Sequence, residues 1–153
     1  MIEQFQESQV SPKGWVTITK TNEQGQITDQ FEVPNLVVTT GKIYIAGKMI
    51  ATDANVPVAM SHMAIGTGTA SPLAEDSTLG TQTGRVLLSG NLQENNSITY
   101  TATFPAGTGT GAITEAGVFN ASTGGTMLCR TVFPVVTKQA GDTIAITWKV
   151  TVS

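Results

Sequence analysis

The sequence predicts an all-β protein, mostly antiparallel, forming a jelly-roll-like or immunoglobulin-like β-sandwich with one short helix. Three observations carry this expectation. Residues 142–153 alternate apolar and polar side chains: Ile144, Ile146, Trp148, Val150 and Val152 share one face, and Thr143, Ala145, Thr147, Lys149 and Thr151 the other. A period of two is a strand with one covered and one open side. About eight such segments recur between short turn signals, and only one segment switches to the helical period.

The elements follow in order. Residues 1–13 lack periodicity and end at Ser11-Pro12-Lys13, so they are read as an N-terminal arm preceding a single domain over 14–153. Gly14–Thr21 and Gln26–Val33 form a hairpin around Asn22-Glu23-Gln24-Gly25, with Asp29 interrupting the apolar face of Ile27, Phe31 and Val33. Pro34-Asn35 punctuates the chain before the short apolar run Leu36–Thr40. Ile43, Ala46, Gly47 and Ile50 follow the i, i+3, i+4, i+7 rule, which places a helix over Thr40–Ala51 with Thr40 as its N-cap. Further strands are expected at Met60–Gly66, Arg85–Leu92, Ser97–Phe104, Ala112–Phe119, Thr126–Phe133 and Asp142–Val152, with one helical turn within Glu75–Gly80. Short connections favour hairpins over parallel crossovers.

Composition narrows the function. Charged residues are 12% of the 153, about half the usual ~25%. Roughly one residue in six is threonine. With 40% hydrophobic residues and a net charge of -3, the chain is expected to fold and not to remain disordered. So neutral a β-rich surface invites association with other subunits. The eight Lys and Arg are scattered through the sequence, without the basic stripe that binding nucleic acid requires. No eighteen-residue apolar run and no signal-peptide pattern is present, so neither a membrane span nor a leader is expected.

Chemistry has few candidates. Gly66-Thr67-Gly68 and Gly107–Gly111 lack the Gly-Lys-Ser/Thr ending of a phosphate-binding loop. His62 and Cys129 are each alone in the sequence, too few for a zinc site, and no Gly-x-Ser-x-Gly elbow exists. Cys129 reads as a small buried residue. Asp53 and Asn55 offer oxygen ligands without EF-hand spacing. Among the carboxylates Glu75, Asp76, Glu115 and Asp142, Glu115 stands out because it lies in a neutral strand. A charge buried there needs a partner, and Arg85 and Arg130 are the candidates for a structural ion pair. The expectation is a non-enzyme without metal or cofactor.

Several short motifs occur in a recognisable succession: Asn35–Lys42, Met63–Ala70, Ser77-Thr78-Leu79-Gly80 with Arg85, Ile113–Phe119 and Ile144–Trp148. Over residues 35–153 this succession resembles small virion proteins of tailed bacteriophages, among them capsid decoration (cement) proteins and tail-fibre-associated domains. The resemblance implies a virion protein assembled in the host cytoplasm, a homotrimer whose partner is the major capsid protein or a tail component. It implies a cement function between capsid proteins, or alternatively a tail or fibre adaptor that binds a receptor. The contact candidates are Ile2, Phe5 and Val10 on the arm, together with Met60, His62 and Met63.

Overall fold

The computed structural model describes residues 12–50 and 55–152. Nine antiparallel strands and one helix follow in the order β1 (Pro12–Thr21), β2 (Ile27–Val37), α1 (Thr39–Lys48), β3 (His62–Gly66), β4 (Gln82–Leu87), β5 (Gly90–Glu94), β6 (Ser97–Phe104), β7 (Gly111–Phe119), β8 (Met127–Lys138) and β9 (Thr143–Val152). The fold is all-β with a single short helix. Lateral strand order is β4-β3-β7-β8-β2-β1-β9-β6-β5. Four hairpins, β1–β2, β3–β4, β5–β6 and β7–β8, are thus laid side by side, with β9 inserted between β1 and β6. The central position of the last strand differs from the ABED/CFG order of an immunoglobulin domain.

The ribbon curls so that its two halves face each other. Val16, Ile18, Tyr100, Phe104, Ile144, Ile146 and Trp148 from one half join Met63, Ile65, Ile113, Val118, Cys129 and Phe133 from the other in one core. Two segments turn the corners between the halves. The start of β2 pairs with β1, and its end, Leu36 and Val37, pairs with Arg130 and Cys129 of β8. At the second corner Leu88 N–H donates to Ser61 O at 2.8 Å, while its neighbour Ser89 donates to Thr101 O of β6 at 2.8 Å. Consecutive amides therefore bond to opposite halves. The strand expected over Arg85–Leu92 is broken into β4 and β5 at this corner.

Other boundaries shift for local reasons. Pro12 and Lys13 belong to β1, inside the arm expected over 1–13. Pro34-Asn35 lies within β2, where the strand passes from one neighbour to the next. β8 runs on to Lys138 through Pro134; its register against β7 jumps from Val132–Glu115 to Val136–Ile113, and the missing proline N–H falls in that irregular stretch. Asp29, which interrupts an apolar face, is matched by its cross-strand neighbour Lys20 at 3.2 Å. Residues 74 and 75 make a simple turn, closed by Asp76 N–H donating to Leu73 O at 3.0 Å, in place of the helical turn expected within Glu75–Gly80.

The helix, α1, ends at Lys48, short of the expected Ala51, and does not pack by its apolar stripe. Its N-cap is Val38; the Thr40 hydroxyl instead donates to Met127 O at 2.8 Å. Gly41 is buried, and Tyr44 and Ile45 pack on the core. Ile43, Ala46 and Ile50 point to solvent, Ile43 being 67% exposed. Gly41 explains the rotation. A Cβ there would overlap the Leu128 carbonyl, so the helix lies on β8 along its glycine side, and the apolar stripe faces outward.

Candidate functional site

The outer face of β7 and β8 is covered by the loop 67–81. Glu115 and Gly117 of β7 and Arg130 of β8 point to this side, where Ala64, Leu79, Phe119 and Met127 form a second, smaller core with Val38. Both faces of β7 are therefore covered, and Ile113 through Phe119 are all buried. Within this layer the Glu115 carboxylate accepts hydrogen bonds from the backbone N–H groups of Gly68 (2.9 Å), Gly80 (2.9 Å) and Thr81 (2.7 Å). It also receives Arg130 Nε at 3.1 Å and Nη2 at 2.9 Å. Arg130 extends the clasp to Asp76 at 2.9 Å and to Ala70 O at 3.0 Å.

Burial alone would push the Glu115 carboxyl up. The amides of Thr81 and Gly80, then Arg130, then the amide of Gly68 outweigh it, and the group is held below its ordinary value. Glycine makes the approach feasible, since a Cβ on Gly68 would stand 2.6 Å from a Glu115 oxygen. Gly66-Thr67-Gly68 thus cradles a carboxylate of its own chain. Of the two arginines proposed as partner, Arg130 makes the pair. Arg85 does not: it binds Gln82 and the carbonyls of Ala121 and Gly124, with its guanidinium 3.8 Å from the Phe119 ring centre. Asp76 is the member sequence reasoning missed. It lies far from Glu115 in sequence within a polar loop, and only the fold brings it to Arg130.

The contact candidates separate. Met60 and Met63 are buried in the main core, so neither offers surface to a partner. His62 is half-buried, with Nδ1 2.8 Å from Ser61 Oγ. Ile2, Phe5 and Val10 lie outside the described residues, as does Asp53. Cys129 is fully buried, and burial pushes its thiol up, away from the reactive thiolate. Among the described residues no three His, Cys, Asp or Glu side chains converge to hold a metal ion, and no helix is long and apolar enough to cross a membrane.

Two open surfaces stand out among the described residues. The first is the outer face of β1, β9 and β6. Register sets Trp15 beside Lys149 and Thr99, Thr17 beside Thr147 and Thr101, and Thr19 beside Ala145 and Thr103. Alternation with buried Val16, Ile18, Tyr100, Ala102, Ile146 and Trp148 turns these nine side chains outward; Lys149 is the one charge among them, with exposed Lys13 on the same side of β1 and Glu32 of β2 accepting from the Thr17 hydroxyl at 3.4 Å. The second is an apolar groove of about 320 Å³, walled by Tyr44, Ile45 and Lys48 of α1, and by Ile98, Val150 and Val152 at the ends of β6 and β9. Comparison with known proteins returned no match to any family model, curated protein or solved structure.

Proposed function

We propose that this chain is a structural virion protein, a capsid decoration (cement) subunit that acts as a homotrimer and stabilises contacts between major capsid proteins. The observation that carries this reading is the outer face of β1, β9 and β6, nine side chains in register with one charge among them. Lys149, with Lys13 and Glu32 at the borders, is the charge a partner would meet there, and the threonine hydroxyls can donate or accept as that partner demands. The order of motifs over residues 35–153 supports the same reading. A cement subunit works by mass action: it binds the assembled lattice better than free capsid protein, and an oligomer multiplies weak contacts into avidity.

The test is occupancy on particles. Purified virions are expected to carry this chain in numbers comparable to the shell subunits, with Thr147→Glu or Thr101→Glu lowering rebinding to stripped capsids. A handful of copies per particle would reject the cement role. That outcome would favour a tail or fibre adaptor, which one feature also supports: Trp15, 58% exposed, beside a cleft that includes Lys13, Asn35 and Lys42. An exposed indole next to polar donors is a platform for a receptor's ring or sugar face.

A further inference from the structure

We propose that the groove between α1 and the ends of β6 and β9 receives residues 1–11 of a second copy of this chain, so that copies are joined by exchanged N-terminal segments. The inference rests on the self-associating function proposed above and names the contact that produces it.

The groove is the inner face of the β6–β9 ladder continued beyond the core. Tyr100 and Val150 are buried at its floor, while Ile98 and Val152 reach solvent. Among the described residues of its wall, Lys48 is the one that carries a charge. An apolar slot of this kind with a single cation suits an apolar, acidic segment of polypeptide.

The chain carries such a segment. Residues 1–11, Met-Ile-Glu-Gln-Phe-Gln-Glu-Ser-Gln-Val-Ser, contain Ile2, Phe5 and Val10, with Glu3 and Glu7 bracketing Phe5 and no Lys or Arg. Their charge is opposite to that of Lys48. Their point of departure fits as well, because Pro12 pairs with Val152, itself a wall of the groove. Eleven extended residues can reach about 36 Å.

A second copy suits this geometry better than the same chain. Pro12 disfavours a helical turn at the residue before it. The line of β1 taken from Thr21 to Pro12 points out past Val152 at the rim, so a segment continuing that line would leave the parent groove behind, and entry there would need a reversal. Entry into a neighbour needs none. Repeated around a rotation axis, the exchange closes a symmetric oligomer.

The test uses the full chain carrying Phe5→Cys and Ile98→Cys, oxidised under mild conditions; the native Cys129 is buried and takes no part. A chain-to-chain disulfide on a non-reducing gel is the expected result. Light scattering should show an oligomer for the unmodified full chain, and loss of that oligomer on deleting residues 2–11 or on Ile98→Lys, with the melting transition retained. Should Ile98→Lys fail to fold, the deletion decides. A disulfide within one chain, no disulfide, or a monomeric full chain would overturn the proposal. An oligomer that survives the deletion would also overturn it, yet would leave the docking function standing, since that is tested separately on particles.

Discussion

Glu115 Oε2 and Arg130 Nη2 meet at 2.9 Å on the covered side of β7 and β8, and neither side chain reaches solvent to any useful extent. A pair so placed is not there for surface solubility. Its carboxylate is saturated by three loop amides and its guanidinium by Asp76 and Ala70 O, so the two residues fasten the loop 67–81 to the sheet.

Removing one partner should be costly. Glu115→Ala leaves buried Arg130 with Asp76 as its one remaining carboxylate and strips three amides of their acceptor, so a loss of about 3–5 kcal/mol is expected. Urea denaturation of the variant against the parent checks this. A midpoint within error of the parent would contradict it.

The same carboxylate sets an acid limb. Its folded pKa is depressed, so the unfolded chain binds the proton more readily. The contribution of Glu115 is therefore complete above the unfolded value of about 4.3, and is lost as pH falls through that value toward the lower folded one. Stability measured from neutral to acid pH should show this fall, and Glu115→Gln should flatten it.

Arg130→Lys keeps the charge but not the fork. Lysine cannot serve Glu115, Asp76 and Ala70 O together from one ammonium. Hydrogen exchange should then rise at the amides of Gly68, Gly80 and Thr81 more than in the β6–β9 ladder. Equal protection in both variants would mean the loop is held by other contacts.

Gly41→Ala inverts the usual helix rule. Alanine ordinarily gains about 1 kcal/mol over glycine inside a helix. Here the added methyl would meet the Leu128 carbonyl, so a net loss of about 1–3 kcal/mol is expected from the thermal midpoint.

The two tryptophans should report separately. Trp148 is fully buried and Trp15 is 58% exposed. Trp15→Phe should abolish the iodide-accessible part of the fluorescence and shift stability by less than about 0.5 kcal/mol.

What the sequence revealed follows from which signals are local. The period of two in residues 142–153 located β9, and the Asn22–Gly25 turn located the first hairpin, because alternation and turn chemistry are properties of neighbouring residues. The anomaly of Glu115 in a neutral strand was likewise visible and pointed to a cationic partner. Its choice of Arg130 over Arg85 was not, since that depends on which strand lies alongside. The helix shows the limit most clearly. Its apolar periodicity runs through Ile43 and Ile50 and locates the helix, yet the closest approach to the sheet is made by Gly41, a contact that hydrophobicity does not encode. The break at Leu88-Ser89 escaped notice for a related reason: a strand that changes partners keeps its composition while its hydrogen bonds change sides.

The first and last strands are central neighbours, paired over ten residues from Pro12–Val152 to Thr21–Thr143. Because they run in opposite directions, Pro12 and Val152 stand together at one rim. A tensile load applied between these two points would part the ladder rung by rung, as a zip opens, and would not shear all its bonds at once. Any tether or fusion added at either position would emerge from that same rim and leave the opposite rim clear.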